Sequence, residues 1–268
     1  MVSKVFIKLG GSFITDKAVP ETLNGERITA AARMIRAAIE AAAAQGDALS
    51  IILGHGAGSF GHIAALKFSA VQGVHPEFGW QGLYAIREAM TRMNLLVLQR
   101  CKEGGLYPVT VSPFAVTQAK GGKVLRLDAE NIQQLLLSEQ IPLVHGDAVP
   151  DTERGFTIAS TEALLAALGD RFRFDRVVMV SDTPGVLDQN GRTIPLIDRR
   201  NLDQMAACLG ASGAPDVTGG MRKKVENLLA LIRRGAANEA RILTFSDRPE
   251  DLRDAVLGAG EAGTLLRL

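Results

Sequence analysis

The sequence predicts an α/β fold in which a mostly parallel sheet is covered on both faces by helices. Two observations carry this. Short apolar runs alternate with alanine- and leucine-rich stretches of helical length along the 268 residues. Four of the runs deliver the chain into turns at Lys8-Leu9-Gly10, Gly54-His55, Gly146-Asp147 and Ser181-Asp182. Continuously apolar strands need cover on both faces, and ligands of such sheets gather beyond the strand carboxyl ends.

The elements follow in order. Residues 5–9 form the first strand, and residues 28–45 an alanine-rich helix capped by Thr29 or an upstream polar residue. Residues 49–53 are a second strand, uniformly apolar and so central. A short helix over 63–68 and a less regular stretch to Trp80 lead into a long helix over 81–103. Residues 107–116 read as a strand, Gly121-Gly122-Lys123 as a turn into a short strand over 124–127, and Asp128 as the cap of a helix over 129–138.

Residues 142–145 form another core strand, 160–168 a helix and 176–180 the next strand, which ends in Ser181-Asp182-Thr183-Pro184-Gly185-Val186. A short helix over 202–208 and a loop over 210–213 precede Gly219-Gly220-Met221 and a helix over 222–235. A strand over 240–245, a helix over 249–257 and a terminal edge strand over 264–268 complete the chain. No repeat or low-complexity linker divides it, so residues 1–268 read as a single domain, with a lobe boundary near 107–150.

Bulk composition excludes several function classes. Hydrophobic residues make up 47% and charged residues 22%, and the net charge is +1, so no global field favours nucleic acid or an anionic membrane. No apolar run approaches the length of a spanning helix, and no secretory signal is evident. Cys101 and Cys208 fit neither a disulfide framework nor a metal cluster, so a reducing cytoplasm is the expected compartment.

The chemistry resides in two glycine-rich turns, Lys8-Leu9-Gly10-Gly11-Ser12 and Gly54-His55-Gly56-Ala57-Gly58-Ser59-Phe60-Gly61-His62. Each follows an apolar strand and exposes backbone N–H groups where a helix begins, which makes an anion cradle. A lysine beside one and a histidine closing the other suit two phosphate-bearing groups held close together, and hence phosphoryl transfer. Other motifs fail. The GxGxxG spacing at 56–61 follows the wrong strand and lacks an acidic partner, no GxxxxGK[ST] or GxSxG sequence occurs, and the four histidines lack zinc-site spacing.

These residues resemble the amino acid kinase superfamily, and within it the isopentenyl phosphate kinase branch. The first turn with Lys17, the second turn ending in His62, the segment 181–186, and Asp216-Val217-Thr218-Gly219-Gly220-Met221 followed by Lys224 are similar to the branch's motifs. The resemblance implies an open αβα sandwich that binds ATP and Mg2+ in a C-terminal lobe and a phosphorylated acceptor in an N-terminal lobe. It also implies a homodimer and conversion of isopentenyl phosphate to isopentenyl diphosphate. It gives no protein ligand for the metal.

Roles implied by the resemblance are as follows. Lys8 bridges the transferred phosphoryl group and the acceptor oxygen, and Gly10, Gly11 and Ser12 approach the phosphates. Gly54, Ala57, Gly58 and Ser59 offer N–H groups to the acceptor phosphate, which His62 contacts, while His55 orients the turn. Gly146 and Asp147 face the reaction centre, where Asp147 orients Lys8 or another cation, or assists magnesium through water. Lys17 and Lys224 approach the nucleotide phosphates beside Gly219 and Gly220, and Asp182 and Gly185 lie beside the ribose or base.

Phe60, Ile63, Phe68, Phe78, Trp80, Ile86 and Met90 are available for a short apolar acceptor pocket, each suiting the core at least as well. A kinase for another small phosphate or phosphonate such as fosfomycin, and a nonenzymatic nucleotide sensor, remain the alternatives. Amino-acid or carbamate kinase chemistry fits less well, because His62 suits a phosphorylated acceptor.

Overall fold

A computed structural model describes residues 1–16, 19–201 and 219–268. In chain order the elements are β1 (Val2–Leu9), α1 (Gly11–Ile14), α2 (Gly25–Ala44), β2 (Ala48–His55), α3 (Gly58–Lys67), α4 (Gln81–Glu103), β3 (Val109–Thr110), α5 (Pro113–Val116), β4 (Thr117–Lys120), β5 (Lys123–Leu127) and α6 (Glu130–Leu137). Then come β6 (Pro142–His145), β7 (Asp147–Asp151), β8 (Gly155–Ala159), α7 (Thr161–Leu168), β9 (Phe174–Val180), β10 (Leu196–Ile197), α8 (Gly219–Arg233), β11 (Ala237–Leu243), α9 (Glu250–Leu257) and β12 (Thr264–Leu266).

Eight strands form the main sheet in the order β10-β12-β11-β9-β1-β2-β6-β3. From β11 to β3 all pairings are parallel, and β12 runs antiparallel to β11. The expected α/β class and mostly parallel sheet are therefore present. Side chains alternate between the faces, as a period of two requires. Val5, Ile7, Leu9, Ile51, Leu53 and Val178 enter one core, shared with α2, α4 and α9. Phe6, Ile52, Val144, Val177 and Met179 enter the other, shared with α7 and α8. Lys8 has the parity of Phe6 and so faces the α7 side.

Parallel register sets the level at which strands end. Leu9 pairs with both His55 and Val180, and His55 pairs with His145. The carboxyl ends of β9, β1, β2 and β6 thus form one row. Backbone hydrogen bonds carry that row one residue further: Gly10 N to Val180 O (2.9 Å), Gly56 N to Leu9 O (3.0 Å) and Gly146 N to His55 O (3.3 Å). Between β1 and β9 the order of connection reverses, which is where an open α/β sheet leaves a crevice.

Several local expectations need correction. Residues 107–116 do not form one strand: only Val109–Thr110 pairs, and Pro113 starts α5, where its fixed φ and missing N–H suit a first helical position. Asp147 belongs to no turn or cap. It opens β7, which forms a hairpin with β8 inside a second, four-stranded sheet, β5-β4-β7-β8. Asp151 joins the two hairpins of that sheet by accepting from Gly121 N, Gly122 N, Glu153 N and Arg154 N at 2.7–3.0 Å. Strand β12 is not an edge, because β10 pairs beyond it.

Other expectations hold with shifted ends. Helix α4 starts and stops where the sequence places it, and the upstream cap of α2 is Asn24, which accepts from Arg27 N. Helix α3 begins at Gly58 rather than at 63, so the second glycine turn is itself the start of a helix. Cys101 is buried and its thiol is pushed up to about 12 by burial, which suits the inert apolar role. Among the described residues no helix is long and apolar enough to cross a membrane. Lys17, Cys208 and the segments expected at 202–208 and 210–213 lie outside the described residues.

The two glycine turns interlock. A Cβ on Gly11 would sit 2.5 Å from Gly58 N, and one on Gly58 would strike Thr15. Gly58 also has φ +48°, a left-handed conformation that costs other residues roughly 1–2 kcal/mol. Gly46 has φ +77° with nothing within 4 Å of an added Cβ, so it separates backbone strain from collision. Gly46→Ala should cost roughly 1 kcal/mol, and Gly58→Ala a further 1–3 kcal/mol or so from overpacking. Urea unfolding midpoints of the two variants check this difference.

Candidate active site

The row of strand ends opens into a cavity of about 340 Å³. Its wall includes Gly10, Gly11 and Ser12 from the first turn, and Gly56, Ala57, Gly58, Gly61 and His62 from the second. Gly146 and Asp147 follow β6, Ser181 and Asp182 follow β9, and Gly220, Met221 and Lys224 come from the start of α8. Helices α3, α7 and α8 all present their N-terminal ends here, so backbone N–H groups and the positive ends of three helix dipoles converge. A larger groove of about 840 Å³ lies at the opposite end of β1 and β2, beside Val2, Lys4 and Ser50. It lacks both glycine turns.

The basic centre of the cavity is Lys8. It is only 7% exposed, and its Nζ donates to Glu162 Oε1 from the first turn of α7. Burial would raise the Glu162 carboxyl, but the Lys8 ammonium and its hydrogen bond outweigh that, helped by Lys224, and hold it below the usual carboxylate range. Helix α7 also has its own cap, Ser160, which accepts from Ala163 N at 3.1 Å. Its dipole is therefore answered from within, whereas Ala57, the residue before α3, has no side chain that can cap it.

On the opposite wall Ser12 Oγ donates to Asp182 Oδ1 at 3.0 Å, and Lys224 Nζ lies 3.4 Å from Ser181 Oγ. The 181–182 turn is thus tied to both the first glycine turn and α8. Asp147 is held from the far side. Its buried carboxylate accepts from Arg87 Nη1 and from Ala148 N. Burial raises it to about 6 against the lowering pull of Arg87.

Beneath the floor, on the α2–α4 face, His55 and His145 stack with ring centroids 5.1 Å apart. His55 meets Gly56 O through Nδ1 (3.0 Å) and Asn94 Oδ1 through Nε2 (3.3 Å), and Asn94 donates on to Thr110. Burial lowers both imidazoles, with mutual repulsion adding at His145, which falls to about 3. They form a neutral platform under the strand ends.

A family model for the amino acid kinase family matches residues 3–243. The chain belongs to the amino acid kinase family. Within the family it is similar to the isopentenyl phosphate kinase of Haloferax volcanii, 37% identical over 232 residues, spanning 86% of this chain and 89% of that one. It is likewise similar to the enzyme of Methanothermobacter thermautotrophicus, 30% identical over 275 residues and covering 97% of each. Among solved structures, an isopentenyl phosphate kinase superposes with a TM-score of 0.79 at 24% identity, covering 98% of this chain and 99% of that one. The isopentenyl phosphate kinase product complex of T. acidophilum gives 0.76 at 22% identity, covering 99% and 100%. The structural likeness speaks to the fold.

Of the residues singled out in this amino acid kinase chain, the cavity brings together Lys8, Gly10, Gly11, Ser12, Ala57, Gly58, His62, Gly146, Asp147, Asp182, Gly220 and Lys224. Others stand behind it. Gly54 lies within β2, where a Cβ would press on Thr161 and Phe6, so it is a packing position. His55 is fully buried in the platform. The Ser59 amide is not offered to a ligand, since it already donates to Thr15 Oγ1 at 3.0 Å. Gly185 packs on Thr264 instead of lining the cavity, and Gly219 starts α8 just ahead of the lining residue Gly220. Of the proposed apolar wall, Ile86 and Met90 line the cavity, joined by Ala65 and Ile158, while Phe60 is in the core.

Sequence reading missed Glu162 and Arg87. Glu162 carried a usable signal, an acidic residue two positions after the Ser160 cap. Arg87 carried none beyond its place on a long helix.

The buried histidines predict a pH dependence of stability. Unfolded imidazoles bind protons below about 6.5, whereas folded His145 stays neutral down to about pH 3. The unfolded state therefore binds more protons, and this term makes stability fall as pH drops from about 6.5 towards 3, by at most about 1.4 kcal/mol per pH unit for one group. Denaturant titrations should show a shallower acid loss in His145→Gln than in the parent across that window.

Proposed function

We propose that this chain transfers the γ-phosphoryl group of ATP to isopentenyl phosphate, giving isopentenyl diphosphate and ADP. One observation carries the reading beyond kinship. A single cavity holds both glycine turns, with the buried Lys8 at the end of one, His62 closing the other, and a short apolar end made by Ala65, Ile86, Met90 and Ile158. Two polyanions and a small hydrocarbon match that lining in charge and size.

An acceptor phosphate oxygen attacks the γ-phosphorus as the bond to the ADP oxygen breaks. The acceptor is already ionised, so positioning and charge neutralisation supply the catalysis and no general base is required. Lys8 donates to the oxygens on which charge spreads, and Glu162 fixes where its ammonium stands. Amides at Ala57 and Gly58, with His62, hold the acceptor phosphate, and Gly146 borders the reaction centre. Gly10, Gly11, Ser12, Gly220 and Lys224 face the nucleotide phosphates, to which the resemblance also assigns Lys17, with Asp182 towards the nucleoside.

ATP fits this donor set, in which N–H groups and lysines converge on an anion. Magnesium, when bound, neutralises the nucleotide phosphates. Among the described residues no cluster of three His, Cys, Asp or Glu forms a cage, but the Asp182 carboxylate and the Ser12 and Ser181 hydroxyls offer the oxygen donors that a hard cation takes. On this reading the acceptor lies towards the N-terminal half and the nucleotide towards the C-terminal half of one domain; the homodimer comes with the resemblance, and the buried, unreactive Cys101 suits a reducing compartment.

The test is ADP release with ATP and a panel of isopentenyl phosphate, fosfomycin, acetylglutamate or no acceptor, with phosphorus NMR of the product. Turnover dependent on isopentenyl phosphate is expected. Turnover with fosfomycin alone would reassign the acceptor, and ATP binding without turnover would make the chain a sensor. Lys8→Ala should lower kcat by about 10²–10³-fold, the scale of losing one preorganised charge donor. His62→Ala should instead raise the acceptor KM about tenfold, the equivalent of a hydrogen bond worth roughly 1.4 kcal/mol.

A further inference from the structure

Arg87 has no part in the chemistry above, yet it holds one of the more buried ion pairs of the molecule. Its partner Asp147 has a side chain with no exposed surface, while the Arg87 side chain is 30% exposed. The guanidinium also lies over the Phe114 ring at 4.8 Å from α5. What the pair joins is informative. Arg87 follows Ile86 on α4 and precedes Met90 by one turn, and Ile86 and Met90 are the cavity's lining from that helix. Asp147 opens β7, where it pairs with Ala159, and its neighbour Ala148 pairs with Ile158. Ile158 and Ala159 line the cavity from β8. The Arg87–Asp147 bond therefore ties together the two walls that bound the apolar end.

The lining side chains of that end are aliphatic or thioether groups, which repack readily when their backbones shift. The carboxylate is fixed by Ala148 N at 2.8 Å, so Arg87 is the adjustable half, and its length sets how far α4 stands from the β7–β8 hairpin.

We propose that Arg87 is a positioning residue that sets the width of the apolar end of the cavity and thereby limits the hydrocarbon length of the phosphorylated acceptor. The inference rests on the isopentenyl phosphate reading. Breaking the tie lets α4 and the hairpin separate, which loosens the fit to a five-carbon chain and admits a longer one.

The experiment measures kcat and KM for the full-length protein with isopentenyl phosphate and with geranyl phosphate, a ten-carbon monophosphate, at saturating ATP. In Arg87→Met the ratio of kcat/KM for the ten-carbon over the five-carbon acceptor should rise at least tenfold, carried by opposite changes in the two acceptor KM values. The KM for ATP should stay within twofold. Arg87→Lys, which restores a cation to Asp147, should recover much of the five-carbon preference. Phe114→Leu keeps both charges but removes the aromatic backing, and should shift the ratio the same way by a smaller factor, so the idea stays testable if Arg87→Met does not fold. An unchanged ratio in the folded variants, or equal losses for both acceptors, overturns it. A parent protein inactive on isopentenyl phosphate overturns the functional reading itself, which is a distinguishable result.

Discussion

Everything at the cavity depends on the parallel register of four neighbouring strands. Because Leu9 is level with both His55 and Val180, and His55 with His145, four turns leave the sheet at one height. A one-residue slip of β1 would exchange its side chains between the two cores and would move Lys8 to the opposite face. That register is set by burial. Val5 to Leu9 and Ile51 to His55 are almost fully enclosed, and their apolar members, Val5, Phe6, Ile7, Leu9, Ile51, Ile52 and Leu53, fix which way each strand faces. The site's geometry is inherited from the core's.

On this frame, charge is distributed with economy. The convergence of N–H groups and helix ends makes the cavity positive, and a buried lysine would add repulsion unless paired. Glu162 answers it from the first turn of α7, a position where a carboxylate also meets a favourable helix dipole. Breaking such a pair costs more than the pair contributes, because it leaves one uncompensated buried charge. Lys8 is therefore held by Glu162 without any ligand, which suits the preorganised donor role proposed for it.

The sequence made the parallel sheet and the two glycine turns legible because both are local. An apolar run ending in Gly10-Gly11 or Gly56-Ala57-Gly58 states its strand, its turn and its free amides within ten residues or so. What it hid was contact across distance. Arg87 and Asp147 are separated by 60 positions and Lys8 and Glu162 by 154, and no local pattern marks either pair. The second sheet was missed for a related reason. Pro150 within β7 and the glycines at 121, 122 and 155 resemble loop punctuation, while the hairpins are held by one aspartate, Asp151, accepting four amides. Ser59 and Gly54 show the converse error, in which membership of a motif suggested ligand contact for positions that serve the turn's own packing.

The two ends of the cavity thus have different physical origins, and this bears on how such a site can change. The anion end is backbone: amides at strand and helix termini, closed against each other so tightly that a single methyl at Gly11 would touch Gly58. Substitution there disturbs the fold as well as the chemistry. The apolar end is side chain, contributed by α3, α4 and a hairpin outside the main sheet, with one buried ion pair between α4 and that hairpin. Its lining can vary without moving any strand end in the central row. A fold built this way can keep one phosphoryl-transfer centre while the group carried on the acceptor phosphate changes. On the proposed reading, the acceptor's hydrocarbon meets side chains of α3, α4 and β8, set apart from the backbone amides of the glycine turns.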